Sequence, residues 1–381
     1  MHIVFLTVDF NRRTAGGIAT YLDTVAAGLT ARGHRATIVT TTIPQGDPPP
    51  YFVVGLGVAV DRDRRRFDLA RHFRDAIVSI HTQHPIDIVE ATDYGLEALV
   101  CAVDPQIEEL GITVLLRVHT PDSMVCEFND EIRFADSATV HKSEGGYFAS
   151  VRHFSSPSQA MAKQLTERWG VPAAKVTVLP NPVGPITPPR ARSLQGSGPD
   201  LGVLTFFGRL ERRKGAHVFA DALTLMLGDL PELSVTFAGA DTRTKTGSVG
   251  SRLREQLQPW QDQITFEGFM GGDRRFNALH SADVVCTPSL WENFPYACLE
   301  ALSLGIPVIA TIGSGFEEIM RHGIDGLLVP PGDAHALARA ITDVVTRQVR
   351  FDRDHIGRQV ENFDVARVLP TFERYYGGLA A

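Results

Sequence analysis

The sequence alternates short apolar strands with amphipathic helices, and this alternation runs twice, on either side of a proline-rich segment. Strands that alternate with helices predict a parallel sheet with helices on both faces. Residues 18–31 carry apolar side chains at helical spacing and end at Arg32-Gly33, which predicts a helix C-cap. The predicted strands are residues 3–8, 36–41, 86–90, 113–118 and 154–156 before that segment, and 203–207, 234–238, 264–266, 284–288 and 308–311 after it.

The length of 381 residues exceeds what one hydrophobic core usually supports, so two domains are expected. Prolines and glycines are concentrated between residues 180 and 198, which indicates a linker there. We predict an N-terminal domain over residues 1–183, a linker over 184–200 and a C-terminal domain over 201–364. The last segment, residues 365–381, has one apolar side and is expected to pack back on the N-terminal domain.

Composition excludes several classes of protein. A net charge of −7 gives no reason to expect nucleic-acid binding. The four cysteines form no CxxC pair, which argues for a reducing compartment and against a zinc site, and we predict no metal. The first apolar run is too short for a signal peptide, and no run approaches the roughly 20 apolar residues of a membrane span. We therefore expect a cytoplasmic protein.

A basic loop, Gly208-Arg-Leu-Glu-Arg-Arg-Lys-Gly215, joins a predicted strand to a predicted helix. Ligands of parallel sheets collect at the carboxyl ends of strands, beside helix N-termini. Glycines allow close approach to a phosphate, Arg209 offers a planar fork of donors, and Lys214 offers a mobile point charge. The loop therefore predicts an anion site, although Arg212, Arg213 and Lys214 could equally form a solvated surface loop.

Two carboxylates, Glu292 and Glu300, flank the start of a later predicted helix. Pro295 suits the first helical turn, and Asn293 is close enough to serve as its cap. The main-chain N–H groups that would then face an anion or a sugar are those of Phe294, Tyr296 and Ala297. Both carboxylates could line one side of a binding site. Alternatively, Glu300 is a surface residue and the aromatic residues here belong to the core.

In this order, the motifs resemble the retaining GT-B glycosyltransferases of family 4. Glu292 and Glu300 match that family's E-x7-E pattern, and Gly16-Gly17 match its first loop. Other matching stretches are Pro180-Asn181-Pro182, residues 301–309 and residues 325–329. The resemblance implies an α/β GT-B fold, with two Rossmann-like domains facing each other across a cleft. It also implies metal-independent transfer of a sugar, with retention, from a nucleotide-diphosphate sugar to an acceptor hydroxyl or other nucleophile.

The resemblance also assigns roles to residues. Arg209 and Lys214 would hold the donor diphosphate, Glu292 would contact sugar hydroxyls, and Glu300 would bind the ribose. His119, at the end of a predicted strand, would contact the donor sugar, although a lone histidine is often structural. The implied catalytic set is His119, Arg209, Lys214 and Glu292. The implied donor-binding set is Gly16, Gly17, Arg209, Lys214, Asn293, Phe294, Pro295 and Glu300.

Polar residues after two strands of the first half are candidates for binding the acceptor: Asp93, Tyr94, Asp122 and Glu127. Each carboxylate could instead be a capping or turn residue. The acidic candidates favour a polar small-molecule acceptor, as in natural-product biosynthesis, but the sequence does not separate that pathway from polysaccharide assembly. The donor is expected to be UDP- or GDP-linked, but the sequence does not distinguish the two bases. No cofactor is predicted besides this co-substrate. The sequence leaves open whether the protein forms a homodimer.

Three rival functions share part of this pattern. A nucleotide-sugar 2-epimerase has the same fold and binds the same donor class, but the combined basic loop and E-x7-E pattern favours a transferase. A transferase acting on a lipid-linked acceptor would need a membrane-binding surface. The helix that begins near Phe67 is amphipathic and basic, but its interleaved aspartates disfavour membrane association. A non-catalytic sugar-binding module is disfavoured because the full motif set is present.

Overall fold

The structure is a computed structural model that describes residues 1–10, 16–43, 47–58, 66–129, 137–184, 202–244, 247–270, 273–353 and 355–381. Contacts divide the chain into two units. Unit 1 comprises residues 1–127, 132–185 and 363–381, and unit 2 comprises residues 128–131 and 186–362. Of the predicted linker, only Gly184 lies within the described residues.

Unit 1 contains a seven-stranded sheet whose neighbouring strands are all parallel. Its strands are β1 (His2–Leu6), β2 (Arg35–Thr40), β3 (Phe52–Gly55), β4 (Ile88–Thr92), β5 (Thr113–Arg117), β6 (His153–Ser156) and β7 (Val176–Val178), in the order β3-β2-β1-β4-β5-β6-β7. The helices along this part of the chain are α1 (Gly17–Ala31), α2 (Arg66–Gln83), α3 (Leu99–Val103), α4 (Pro105–Glu109), α5 (Asp122–Asn129), α6 (Ser137–Ser150) and α7 (Gln159–Trp169). The strand order reverses between β1 and β4, so the loops after these two strands are neighbours.

Unit 2 contains a six-stranded parallel sheet and a short antiparallel hairpin. Its strands are β8 (Val203–Phe207), β9 (Ser234–Ala238), β10 (Arg243–Thr244), β11 (Gly247–Ser248), β12 (Ile264–Gly268), β13 (Val284–Thr287), β14 (Val308–Thr311) and β15 (Gly326–Val329). The sheet order is β12-β9-β8-β13-β14-β15, and β10 pairs with β11. The helices are α8 (Ala216–Met226), α9 (Val249–Gln256), α10 (Asp273–Ser281), α11 (Tyr296–Ser303) and α12 (Ala334–Val345). The predicted α/β class, with two parallel-sheet domains, is confirmed.

The central strands form where the sequence is continuously apolar. Every residue of β1 and β4 is buried, as expected for strands covered by helices on both faces. The predicted C-cap of α1 is confirmed, since Gly33 has φ 87° and its N–H donates to the Thr30 carbonyl at 3.0 Å. The sequence did not predict β3, β7, β10, β11 or β15. These strands have only two to four residues each, and most of their residues are only partly buried.

A buried polar network ties the last helix, α13 (Val365–Ala380), to the sheet of unit 1. Glu90 on β4 accepts hydrogen bonds from the hydroxyls of Tyr21 (2.6 Å) and Tyr376 (2.8 Å). Arg117 on β5 is fully buried, lies over the Tyr21 ring at 4.3 Å, and donates to the Leu179 carbonyl at 2.8 Å. Burial raises the pKa of the Glu90 carboxyl, and the charge of Arg117 opposes that rise. The cation therefore helps to hold a carboxylate inside the unit.

Replacing Arg117 with methionine should lower the free energy of unfolding by about 3–5 kcal/mol, because Glu90 then loses its compensating buried cation. Adding Glu90→Gln to that variant should recover part of the loss, since the carboxylate that lost its cation is then removed as well. Urea unfolding measures both effects. The matched control is Arg152→Met, which removes an exposed partner of Glu108 and should change stability little. Equal losses for Arg117→Met and Arg152→Met would contradict this account.

Candidate functional site

The basic and acidic loops follow strands that are neighbours in the sheet of unit 2. Residues 208–215 follow β8, and residues 288–295 follow β13, which pairs directly with β8. The strand order reverses between these two strands, with β9 beyond β8 and β14 beyond β13. In open parallel sheets, ligands bind outside the carboxyl ends of the strands at such a reversal.

Lys214 and Glu292 are joined by an ion pair at this edge, through Lys214 Nζ and Glu292 Oε1. The same oxygen accepts a hydrogen bond from Ser289 Oγ at 3.1 Å. Arg213 Nη1 lies 3.4 Å from the other carboxylate oxygen, Glu292 Oε2. The Glu292 side chain is only 9% exposed. The structure therefore brings two predicted site residues, Lys214 and Glu292, into direct contact.

The charge state of Glu292 follows from this environment. Burial raises the pKa of its carboxyl, but Lys214 and Arg213 outweigh burial and lower that pKa to about 2. Glu292 is therefore an ionised hydrogen-bond acceptor at any ordinary pH.

The remaining charges of the basic loop divide into exposed and buried groups. Arg209 is 53% exposed, and its Nη2 donates to Glu211 Oε1 at 3.1 Å. Glu211 is 1% exposed, and the same oxygen accepts from Arg213 Nη2 at 3.0 Å. Arg212 is exposed, whereas Arg213 is buried. Only part of this loop is therefore a solvated surface, and sequence spacing gave no sign of the buried Glu211–Arg213 pair.

The loop between Glu292 and α11 is buried, including Asn293, Phe294 and Pro295. The predicted capping role of Asn293 is wrong, because the N-cap is Pro295, whose φ −79° and ψ 94° are extended rather than helical. Glu300 lies on α11 and is partly buried.

Gly315 holds this loop from the segment that follows β14. Its N–H donates to the Glu292 carbonyl at 2.9 Å. A Cβ at this position would lie 1.7 Å from the Asn293 carbonyl oxygen, so no side chain fits. The sequence prediction did not include Gly315, although its place in a Gly-Ser-Gly turn after a buried strand could have indicated such a close approach.

In unit 1, His119 and Asp93 are in contact at the carboxyl ends of β5 and β4. The main-chain N–H of His119 donates to Asp93 Oδ1 at 2.9 Å. The His119 ring packs edge-on against the Tyr21 ring, with 5.2 Å between the ring centres. Burial, together with Arg117, lowers the pKa of His119 well below its usual range, so the imidazole is neutral. Burial raises the pKa of Asp93 to about 8, so its carboxyl is mostly protonated at neutral pH.

The other residues predicted in unit 1 have diverse surroundings. Tyr94 is half-buried, and Asp122 is buried in the first turn of α5. Glu127 is bound by Arg168, whose Nη1 lies 2.6 Å from Glu127 Oε2. Gly16 is the N-cap of α1 and Gly17 its first residue, and both are exposed.

Gly16 has an ordinary backbone conformation, with φ −80°, and a Cβ there would have no described heavy atom within 4 Å. The described fold therefore gives no reason for glycine at this position.

No set of three or more His, Cys, Asp or Glu side chains that could bind a metal occurs among the described residues. In the same part of the chain, no helix has both the length and the apolar character needed to cross a membrane.

Two protein-family models match the chain. The model described as "Glycosyltransferase Family 4" matches residues 15–185, and the one described as "Glycosyl transferases group 1" matches residues 202–347. The chain belongs to the family 4 glycosyltransferases. The predicted family and the predicted transferase class are thereby confirmed.

Similar proteins span nearly the whole length of this glycosyltransferase. A phosphatidyl-myo-inositol mannosyltransferase from Mycobacterium leprae is 26% identical, aligned over 89% of this chain and 86% of its own. A D-inositol 3-phosphate glycosyltransferase from Paenarthrobacter aurescens is 27% identical, aligned over 88% and 86% of the two chains.

Solved structures show the same fold. Sucrose-phosphate synthase from Thermosynechococcus elongatus superposes with a TM-score of 0.78 at 22% identity, covering 99% of this chain and 98% of its own. Anabaena HepE, in complex with UDP-glucose, gives a TM-score of 0.74 at 20% identity, covering 99% and 100%. The predicted GT-B fold class is confirmed, whereas the roles of individual residues stay predictions.

Replacing Gly315 with alanine should lower the free energy of unfolding by about 1–3 kcal/mol, because the new methyl group would collide with the Asn293 backbone. Urea unfolding measures this loss. Gly228→Ala is the matched control in the same unit, since a Cβ there meets no described atom within 4 Å. A Gly315→Ala variant as stable as Gly228→Ala would contradict the close approach.

The Glu292 ion pair should also stabilise the fold in a pH-dependent way. Because the folded pKa of about 2 lies below the ordinary value of 4.5, the contribution is complete above about pH 5 and is lost as pH falls toward 2. The shift corresponds to about 3 kcal/mol. The stability difference between the natural protein and Glu292→Gln, from urea unfolding at pH 7, 5, 4 and 3, should therefore shrink below pH 5. A difference that does not change with pH would refute it.

Proposed function

We propose that this glycosyltransferase transfers a sugar, with retention and without a metal ion, from a UDP- or GDP-linked donor to a polar small-molecule acceptor. One observation carries the proposal: Arg209, Lys214 and Glu292 lie on two loops at the carboxyl ends of β8 and β13. A cationic loop beside an ionised carboxylate suits a ligand with a pyrophosphate next to several hydroxyls. The solved complex of HepE with UDP-glucose is consistent with that donor class.

Arg209 and Lys214 act on the pyrophosphate in this proposal. Arg209 is half exposed, so its guanidinium can present two donors to phosphate oxygens. Lys214 adds a mobile point charge on the same loop. As the sugar departs, negative charge grows on the nucleoside diphosphate, and these cations stabilise it. They supply the positive charge that a divalent ion supplies in other phosphate sites.

The acidic loop acts on the sugar. Glu292 is ionised and can accept hydrogen bonds from sugar hydroxyls, while the backbone at Asn293, Phe294 and Pro295 holds the sugar and its phosphate. Glu300 binds the ribose hydroxyls in the same proposal. Gly16 and Gly17, at the N-terminus of α1, offer main-chain N–H groups to the pyrophosphate.

We propose a front-side transfer that balances without a protein nucleophile. The acceptor oxygen bonds to the anomeric carbon on the face from which the phosphate oxygen leaves. The acceptor's proton passes to that phosphate oxygen, and the nucleoside diphosphate departs. His119, being neutral, can hydrogen-bond the donor sugar without adding charge. Asp93, Tyr94, Asp122 and Glu127 remain the proposed acceptor-binding residues, and Asp93 would act as a hydrogen-bond donor while it is protonated.

A lipid-linked acceptor is the second candidate, because several relatives are named as phosphatidyl-myo-inositol mannosyltransferases. A polyol phosphate is the chemistry common to those relatives and to the inositol phosphate glycosyltransferase. An epimerase that acts on the donor alone is the third candidate. Assays without an acceptor, with a soluble acceptor and with a lipid acceptor separate the three candidate functions.

The first test is a thermal-shift screen of UDP- and GDP-sugars, since a bound donor raises Tm by mass action. A donor that binds is then incubated alone, with inositol phosphate, or with vesicles containing phosphatidylinositol, and products are identified by mass spectrometry and NMR. We expect transfer to the soluble polyol with the donor's anomeric configuration retained. Transfer only to the vesicles would favour the lipid acceptor, and isomerised donor without acceptor would indicate an epimerase. An inverted anomeric centre would refute retention.

Lys214→Ala should lower turnover about 10²- to 10³-fold, as for other removed charge-stabilising donors, while the fold persists. The neighbouring Arg212→Ala is the matched control, because Arg212 is exposed and has no role in the proposed site. Initial rates with a saturating donor measure both variants. Near-normal turnover of Lys214→Ala would remove Lys214 from the mechanism.

A further inference from the structure

Lys214 has two competing partners. The proposed function assigns it to the donor's pyrophosphate, but in this structure its Nζ binds Glu292 Oε1. When a donor draws Lys214 away, a carboxylate that is 9% exposed loses its nearest cation. A buried charge that loses its counter-ion is strongly unfavourable. Donor binding therefore requires another group to compensate Glu292.

Arg213 is placed to be that group. Its Nη1 lies 3.4 Å from Glu292 Oε2, the oxygen that Lys214 does not contact. Ser289 Oγ donates to Glu292 Oε1, the oxygen that Lys214 also contacts. This hydrogen bond can persist when Lys214 leaves, but the hydroxyl carries no charge. Arg213 therefore keeps a positive charge against the carboxylate after the exchange.

Arg213 is also held so that it stays with Glu292. Its side chain is 7% exposed, compared with 23% for Lys214. Nη2 donates to Glu211 Oε1 at 3.0 Å, and Nη1 donates to the Trp291 carbonyl at 3.4 Å. Glu211 is itself 1% exposed, so this anchor lies within the unit. The planar guanidinium bridges two carboxylates, which the single ammonium of a lysine would do less well.

We propose that Arg213 is a positioning residue that compensates the charge of Glu292 while Lys214 moves from Glu292 to the pyrophosphate of a nucleoside-diphosphate donor. The inference rests on the proposed function and deepens it. In this proposal, the Lys214–Glu292 ion pair is the ligand-free state, in which Lys214 has not yet moved to the pyrophosphate. Glu211 orients Arg213.

A double-mutant cycle on nucleoside-diphosphate affinity tests this exchange. Without Arg213, Glu292 should retain Lys214 more strongly, so Arg213→Met should weaken binding of UDP or GDP about tenfold, a typical coupling between contacting residues. In a Glu292→Gln background there is no carboxylate to compensate, so the same change should cost less than about twofold. Calorimetric Kd values for UDP and GDP measure the cycle. Uridine and guanosine, which lack the pyrophosphate, are the control ligands. Their affinities should not show the coupling between Arg213 and Glu292.

The two backgrounds separate this role from the other roles that Arg213 could have. Direct contact with the pyrophosphate, or a general loosening of the loop, costs the same affinity in both backgrounds and would overturn the inference. Arg213→Lys, which keeps the charge, provides a second cycle should Arg213→Met fail to fold, and a loss of about threefold is expected only where Glu292 is present. A natural protein that binds neither UDP nor GDP would refute the proposed function itself, and the inference with it.

Discussion

The compensation of one buried charge, that of Glu292, organises the site in unit 2. Its carboxyl has a pKa of about 2 despite burial, because Lys214 and Arg213 converge on it. That convergence depends on topology, since the two loops meet only because β8 and β13 are neighbours where the strand order reverses. It also depends on close backbone packing. A Cβ at Gly215 would lie 1.9 Å from the Pro288 carbonyl oxygen, so the two loops could not approach as they do with any other residue there.

Unit 1 holds its buried charges in a different way. Arg117 is completely buried, and its guanidinium is held by main-chain and side-chain oxygens and by the ring of Tyr21. Glu90 accepts from two tyrosine hydroxyls, one of them Tyr376 in the last helix. Because Tyr21 also packs against the His119 ring, the surroundings of that histidine depend on α13. Burial of His119, with Arg117 nearby, keeps its imidazole neutral. The C-terminal segment thus contributes to the packing around a candidate catalytic residue far away in sequence, because Phe372 on α13 packs against the Tyr21 ring.

The parts of the fold and of the candidate site that could be predicted from the sequence are those with a local sequence signal. Continuous apolar runs gave the central strands, and motifs of a few residues each gave the family, because each of these signals is visible in a short window. Edge strands such as β3 and β7 are partly exposed and only four and three residues long, so their signal is weaker. The cap of α11 was assigned to Asn293 from residue type alone, yet Pro295 occupies the position with an extended backbone. Among the three consecutive basic residues of the loop, spacing could not show that Arg213 is buried against Glu211 while Arg212 is exposed. Burial is a property of the assembled sheet.

Glycines show why the same residue type can have opposite explanations. Gly315 is required by the protein, since a side chain would collide with the Asn293 carbonyl. Gly16 is different, because its φ of −80° suits any residue and its missing Cβ leaves space that no described atom occupies. The described fold thus accounts for the first glycine and not for the second. A bound molecule that approaches the N-terminus of α1 closely would account for Gly16, because main-chain N–H groups there are open to an anion only while no side chain covers them. Gly228 also lacks described atoms around its missing Cβ, so this feature alone does not assign a ligand, and the donor-binding role of Gly16 stays a prediction from the family resemblance.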